Sequence, residues 1–384
     1  MILPGGTLGM LGGGQLGRMF TLAARTMGYN VIVLDPDPDS PAGELATDHI
    51  CADYSDQTAL EYLAKTCDAV STEYENVPAA TLEWLADKCV VRPSAKAVAI
   101  SQNRIMEKSF LREQQIPTAK FAVVQTAADI DTALKITGTP AILKVARFGY
   151  DGKGQVRVNS AQETHAAWQA MNNEACVLEQ LLELQCEVSV VIARGFDGAM
   201  STYPVAENRH RHGILDISIV PARVADTIQT SAKEMAKVIA EKLDYVGVMA
   251  VEFFVLVDDT LVVNEIAPRP HNSGHYTLDA CITSQFEQQV RMLCGLSCGD
   301  TRLLSPVVMV NLLGDVWPHD RMPAWEHVVS HPQIKLHLYG KRAARIGRKM
   351  GHYNVLAISI DEAIQLAQEV QVKLREQMPT QFSQ

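Results

Sequence analysis

Val248-Met-Ala-Val-Glu-Phe-Phe-Val-Leu-Val257 and Thr260-Leu-Val-Val-Asn-Glu-Ile266, separated only by Asp258-Asp259, decide the reading of this chain. Both runs are apolar and rich in β-branched and aromatic residues, the composition of paired strands. A two-residue turn at Asp258-Asp259 pairs position 257 with 260, 256 with 261, and so on to Glu252 with Glu265. Cβ atoms directly opposite in an antiparallel pair lie about 5 Å apart, where like charges repel. The arrangement is tolerated when a cation sits between the carboxylates, and hard cations such as Mg²⁺ take carboxylate oxygens together with substrate phosphates. Glutamates splayed into water from a surface strand would also relieve the repulsion, but runs this apolar do not suit an exposed strand. Ala267-Pro-Arg-Pro-His-Asn-Ser-Gly-His275 follows at once, dense in donors and poor in core residues. A carboxylate pair followed by Arg269 and His271 reads as a catalytic centre for phosphoryl chemistry.

The chain has 384 residues, 47% hydrophobic and 20% charged. That is material for about two or three globular domains. Its net charge of −10 argues against a nucleic-acid partner, since a phosphate backbone calls for a basic face. The eight cysteines include no Cys-x-x-Cys pair, and Cys294 and Cys298 are the closest two. Reduced thiols fit this pattern better than disulfides or zinc. No apolar run reaches membrane-spanning length, and no basic stretch precedes an apolar one near Met1. Neither a membrane span nor a signal is expected, so the cytoplasm is the default.

Strand and helix alternate at the start: a strand from Thr7 to Leu11, the turn Gly12-Gly-Gly-Gln-Leu-Gly17, a helix from Arg18 to Met27, and a strand from Val31 to Leu34 ending at Asp35. A helix from Thr58 to Lys65, a strand from Ala69 to Thr72 and a helix from Pro78 to Lys88 continue a doubly wound parallel βαβ unit. Taken alone, Gly12 to Gly17 with Asp35 is a dinucleotide fingerprint, although a tight turn without a ligand uses the same glycines. A further helix is expected from Gln102 to Gln115. Lys144, on a strand from Ala141 to Ala146, precedes Gly149-Tyr-Asp-Gly-Lys-Gly-Gln155. Those glycines expose backbone N–H groups and Lys153 adds a point charge, which suits a triphosphate; a flexible surface hairpin is the competing reading. Lys144 among apolar neighbours calls for an anionic partner. Glu179-Gln-Leu-Leu182 and Glu187, in isolation, read as solvated charges.

Lys108, Lys144 before a glycine-rich loop, Glu179 before an apolar linker, Glu187, Glu252 and Asn264-Glu265 occur in an order that resembles the ATP-grasp superfamily. Five stretches narrow the resemblance to the N5-carboxyaminoimidazole ribonucleotide synthetase family: Gly14-Gln-Leu-Gly-Arg-Met19, Thr72-Glu-Tyr-Glu-Asn-Val77, Gly149 to Gln155, Asn264-Glu-Ile-Ala-Pro-Arg-Pro-His-Asn-Ser-Gly-His275 and Gly347-Arg-Lys-Met-Gly-His352. The resemblance implies an α/β protein. A Rossmann-like pre-ATP-grasp domain with a parallel sheet (1–103) precedes an ATP-grasp domain (104–298) and a small α+β domain (299–384).

The activity implied is ATP-dependent carboxylation of aminoimidazole ribonucleotide with bicarbonate, through carboxyphosphate, with Mg²⁺ (two ions) and without biotin. ATP would be held by Arg104, Lys108, Lys144 and the loop Gly149, Tyr150, Asp151, Gly152, Lys153, Gly154 and Gln155. Glu179, Gln180, Leu181 and Leu182 would line the adenine, Glu187 would take the ribose, and His210 and Asn264 would add nucleotide contacts. Glu252 and Glu265 would carry the metal. Gln15, Leu16, Glu73, Asn272 and Ser273 would touch the ribonucleotide, with Lys341 and Arg348 on its 5′-phosphate. Arg269 would capture bicarbonate, Lys144 would neutralise charge in transfer, and His271 or Asp151 would receive the amine proton. The partners implied are small molecules only, with neither nucleic acid nor membrane, in a homodimer. Ala267 stands where many ATP-grasp enzymes have Asn, which fits this family's own pattern. The nearest rival, a formate-dependent glycinamide ribonucleotide transformylase, calls for Glu at position 15. An NAD-dependent dehydrogenase built on Gly12 to Gly17 is the rival from another class.

Overall fold

The computed structural model describes residues 1–73, 76–147, 149, 153–317 and 322–376. β1 (Thr7–Leu11), β2 (Asn30–Leu34), β3 (Asp48–Ile50), β4 (Ala69–Thr72) and β5 (Val90–Val91) form a parallel sheet in the order β3-β2-β1-β4-β5. Leu8, Met10, Val31 and Val33 face a core with Phe20 and Ala24, while Leu11, Ile32 and Leu34 face another with Leu60, Leu63 and Leu82. The alternation of period two, apolar on both faces, is that of a sheet covered by helices on both sides. The order reverses between β1 and β4, which opens a crevice at their carboxyl ends.

β6 (Phe121–Val124), β7 (Ala141–Val145), β8 (Gln155–Val158) and β9 (Cys176–Gln180) form an antiparallel sheet in the order β6-β9-β7-β8. Helices Asp129–Thr137 and Ala161–Ala170 pack on it through Ile130, Ala133 and Trp168.

The remaining strands are β10 (Leu184–Arg194), β11 (Met200–Thr202), β12 (Ala206–Arg211), β13 (Ile214–Val220), β14 (Gly247–Leu256), β15 (Leu261–Ala267), β16 (Val307–Leu313), β17 (Ile334–Leu338) and β18 (Lys349–Leu356). They make one nine-stranded sheet, β15-β14-β10-β12-β13-β16-β18-β17, with β11 on β10. Helix Asp226–Lys242 buries Ile228, Ala232, Ala236 and Ile239 against it. The C-terminal strands share a core with helix Ile360–Glu376, yet they extend the central sheet through the β13–β16 pairing. No helix among the described residues is long and apolar enough to cross a membrane. All eight cysteines are free thiols.

The helix expected over 102–115 is present as Arg104–Glu113, started by Asn103, whose side chain accepts from Ile105 N (2.9 Å), and a separate helix, Ala95–Ser101, precedes it. One local expectation needs correction. The hairpin loop has three residues rather than two: Leu256 N donates to Thr260 O (2.9 Å), and Val255 pairs with Leu261. Asp259 adopts φ +64°, a left-handed position that Asp tolerates and that three-residue hairpins use. The resulting one-residue slip is cancelled by a bulge at Asn264, so Glu252 does face Glu265.

Candidate active site

The bulge puts a buried carboxylate across from a half-buried one. Glu252 is 7% exposed, and its Oε1 lies 2.8 Å from His271 Nε2. Glu265 Oε2 accepts from Arg104 Nη1 at 3.2 Å. Burial raises the Glu252 carboxyl, but His271, His210 and Lys349 outweigh it and hold it below the usual carboxylate range. Asn264 Oδ1, on the bulge next to Glu265, is buried without a hydrogen-bond partner among the described residues. Two facing carboxylates beside an orphaned amide oxygen form an all-oxygen donor set that fits a hard divalent cation. Across the sheet, Glu187 Oε2 lies 3.0 Å from His210 Nδ1, and ligand atoms of Glu187, His210 and Glu252 all fall within 4.8 Å of one another.

Beside this pair lies a buried cationic cluster. Lys144 Nζ donates to Glu179 Oε2 (3.0 Å), and Lys108 Nζ lies 3.5 Å from the same oxygen. Lys108 also donates to Thr118 Oγ1 (2.8 Å) and to the bulge carbonyl Asn264 O (3.0 Å), tying helix Arg104–Glu113 to β15. Glu179 is 2% exposed and is therefore not a solvated charge. Burial raises its carboxyl, but Lys144, Lys108 and Arg104 prevail and hold it at about 2. With the neighbouring Glu107 carboxyl raised by burial, Lys108, Lys144 and Arg104 outnumber the carboxylates Glu179 and Glu265, and such a buried cluster favours an anionic ligand.

Glu107, which the sequence reading missed, accepts from Ile266 N at 2.6 Å and fixes the main chain next to Glu265. Burial first and Glu265 second raise its carboxyl to about 8, against Lys108 and Arg104. A carboxyl raised on folding holds its proton after the unfolded chain has lost it. Its contribution to stability is therefore present below about pH 4.3 and is lost as pH rises through the folded value. Glu107→Gln should accordingly gain melting temperature relative to the parent as pH rises from about 5 to 8. Paired thermal melts across that range check this; a constant difference would contradict it.

At the opposite crevice, the glycine turn is filled from within. Glu73, just after β4, accepts from Gly14 N (2.6 Å) through Oε1 and from Gly17 N (2.7 Å) through Oε2. It occupies the anion position at the start of helix Gln15–Thr26. A Cβ on Gly12 (φ +108°) would come within 2.3 Å of Glu73 Cγ, so the glycine admits this carboxylate. Asp35 is likewise engaged, accepting from Gly13 N (2.6 Å) and Tyr54 OH (2.8 Å). A pyrophosphate has no place there, which removes the dinucleotide reading. Gly13, Gly14, Asp35, Glu73, Lys341 and Arg348 line a cleft of about 200 Å³ that carries both acidic and basic side chains. Lys341 Nζ donates to Gln15 Oε1 (2.5 Å) and to Lys349 O (2.8 Å), and Arg348 Nη1 to Ala343 O (2.8 Å).

The structure thus gathers Arg104, Lys108, Lys144, Glu179, Glu252, Asn264, Glu265 and His271 at one centre, with Glu187 and His210 across the sheet. Gln15, Glu73, Lys341 and Arg348 form the second. Gln180, Leu181 and Leu182 are partly exposed at the end of β9 and just beyond it. Gly154 and Gln155 lie on the β7–β8 hairpin with exposed Lys153, while Tyr150, Asp151 and Gly152 fall outside the described residues. Leu16 packs against Met19, Phe286 and Tyr339. Asn272 and Ser273 turn inward: Asn272 exchanges amide hydrogen bonds with Asn311 (3.0 and 2.7 Å), and Ser273 is fully buried. Tyr54 and Gln285 also help shape the centres; no motif marks them.

A parallel-sheet domain, a small antiparallel lobe and a large sheet with paired carboxylates beside buried lysines define an ATP-grasp enzyme. Residues 109–286 match the ATP-grasp domain family, 6–102 the ribonucleotide synthetase preATP-grasp domain, and 307–366 the phosphoribosylaminoimidazole carboxylase C-terminal domain. The chain is 42% identical over 369 residues to the N5-carboxyaminoimidazole ribonucleotide synthase of Bacillus subtilis, covering 95% of each protein. A solved N5-carboxyaminoimidazole ribonucleotide synthetase in complex with ADP superposes with TM-score 0.91 at 42% identity, covering 98% of this chain and 99% of that one. The Aspergillus clavatus synthase, in complex with ADP and 5-aminoimidazole ribonucleotide, superposes with TM-score 0.90 at 33% identity, covering 97% and 99%. The chain belongs to the N5-carboxyaminoimidazole ribonucleotide synthase family.

Proposed function

We infer that this chain performs its family's reaction at the two centres described. It is an ATP-dependent carbon–nitrogen ligase of purine biosynthesis. It converts 5-aminoimidazole ribonucleotide, bicarbonate and ATP to N5-carboxyaminoimidazole ribonucleotide, ADP and phosphate. The observation that carries the residue assignment is the register of Glu252 opposite Glu265 beside Arg104, Lys108 and Lys144. In this reading those cations and Gly149 to Gln155 hold the ATP phosphates, with Glu179 to Leu182, Glu187 and His210 around the nucleoside. Mg²⁺, held by Glu252 and Glu265, would neutralise charge on the transferring phosphoryl group.

A bicarbonate oxygen held by Arg269 attacks the γ-phosphorus, the bond to ADP breaks, and carboxyphosphate forms. Phosphoryl transfer needs positioning and charge neutralisation more than covalent help, and the site supplies both. The exocyclic amine of the ribonucleotide then attacks the carboxyl carbon. Phosphate leaves and the nitrogen loses a proton. Carboxyphosphate is short-lived in water, so the Gly149 to Gly154 segment would serve as the cover. ¹⁸O supplied in bicarbonate should therefore appear in the phosphate produced; phosphate without label would refute the carboxyphosphate route. No biotin takes part, and the enzyme acts in the cytoplasm as a homodimer.

The second centre receives the ribonucleotide, with its base near Gln15, Leu16 and Glu73 and its 5′-phosphate on Lys341 and Arg348. Lys341→Ala should raise KM for the ribonucleotide by about tenfold or more, the worth of a charged hydrogen bond, while KM for ATP moves less than about twofold. Steady-state kinetics with each substrate varied decides it, and an unchanged ribonucleotide KM would move the phosphate elsewhere.

A further inference from the structure

His271 ends a buried hydrogen-bonded chain that the reaction just described leaves unused. Ser218 Oγ donates to Asn208 Oδ1 (2.8 Å), Asn208 Nδ2 to Ser189 Oγ (2.9 Å), and Ser189 Oγ to Ser273 Oγ (2.7 Å). Ser273 Oγ lies 2.9 Å from His271 Nδ1, and His271 Nε2 lies 2.8 Å from Glu252 Oε1. From Ser218 to Ser273 no member is more than 4% exposed. The sheet builds the chain directly, since Ser218 faces Asn208 across β13–β12 and Ser189 faces Glu252 across β10–β14.

Serine hydroxyls and a carboxamide can pass hydrogen bonds in either direction. Run backwards, with Asn208 turned over, the chain would require the His271 proton on Nδ1. The backbone removes that choice. Ser273 N also donates to His271 Nδ1, at 3.3 Å, and a main-chain amide can only donate. A proton on Nδ1 would be set against that amide. Nδ1 therefore accepts, and the Nε2–H is directed at Glu252. Gln285 pins the residue's own main chain, accepting from His271 N (2.9 Å) and donating to His271 O (2.8 Å).

We propose that Ser189 and Asn208 are positioning residues of the reaction: through Ser273 they hold His271 as the Nε2–H tautomer, which orients the Glu252 carboxylate. His271 is then not the acceptor of the amine proton, because Nε2 already carries a proton and two donors occupy Nδ1. Orientation of a ligating carboxylate by a hydrogen-bond donor behind it is a common support for metal sites. The assignment rests on reading Glu252 as the phosphate-site carboxylate.

The test is ring-¹⁵N NMR of the histidine-labelled, full-length protein without substrates, with the His271 signals identified by their loss in His271→Gln. The expected spectrum shows a proton bonded to Nε2 and none on Nδ1; a proton on Nδ1 in the parent protein overturns the proposal. Asn208→Asp, which can only accept, turns the Ser189 hydroxyl around and should move the His271 proton to Nδ1. It should also lower kcat by about tenfold while leaving KM for ATP within about twofold. A folded Asn208→Asp protein with parental tautomer and parental kcat likewise overturns it. The parental spectrum requires no turnover, so a failed tautomer assignment is distinguishable from a failed reading of the reaction.

Discussion

Arg269→Ala is expected to reduce bicarbonate-dependent ADP formation by about a thousandfold, the upper range for deleting one preorganised donor to a developing oxyanion. Arg269 lies two residues beyond β15, four residues after Glu265 in sequence, and its main chain is tied back through Arg269 N to Ala267 O (2.8 Å). Its planar, permanently charged fork suits two-point capture of bicarbonate or carboxyphosphate. The cations assigned to the ATP phosphates, Arg104, Lys108 and Lys144, stand on helix Arg104–Glu113 and β7, away from the segment that carries Arg269. ATP affinity should therefore change less than about threefold, well under the 1.4 kcal/mol that makes a factor of ten. Titration calorimetry with a non-hydrolysable ATP analogue, beside steady-state ADP formation, separates the two effects. Ordinary turnover in the variant would remove Arg269 from the bicarbonate site.

Glu252→Gln should be nearly as severe, about 10²- to 10³-fold in kcat, because charge stabilisation at a phosphoryl group contributes several kcal/mol. The substitution is informative because it is nearly isosteric. A glutamine Oε1 can still accept from His271 Nε2, which lies 2.8 Å away in the parent, so the local hydrogen bonding survives while the charge is lost. The concentration of Mg²⁺ giving half-maximal rate should rise by about tenfold. A variant with parental rate and parental Mg²⁺ response would dissociate the carboxylate pair from the metal.

The sequence made the larger features legible for a physical reason: they depend on local pattern. The parallel sheet follows from alternating apolar runs, and β1 and β4 lie where those runs place them. The pairing of Glu252 with Glu265 was also legible, but through two offsetting irregularities. The left-handed Asp259 lengthens the loop by one residue, and the bulge at Asn264 takes that residue back. Neither irregularity has a pattern strong enough to read in one sequence.

Long-range partners were the least legible. Gly12 to Gly17 reads equally well as a cradle for pyrophosphate, and only the arrival of Glu73 from β4 shows which anion the glycines accommodate. Glu179 looks like a surface charge until β9 carries it between Lys108 and Lys144. Glu107 carries no motif, and its importance comes from a contact 159 positions away with Ile266 N. Asn272 and Ser273, inside a motif dense in donors, are turned toward Asn311 and Ser189 by the sheet beneath them.

The central claim is that ATP cleavage here is coupled to carboxylation of the ribonucleotide. ADP release from the purified protein with Mg-ATP, measured with bicarbonate and 5-aminoimidazole ribonucleotide present together and with each withheld, tests it most directly. The account predicts release that requires both and does not respond to formate with glycinamide ribonucleotide. Release that continues without the imidazole substrate, or that follows formate, would contradict it.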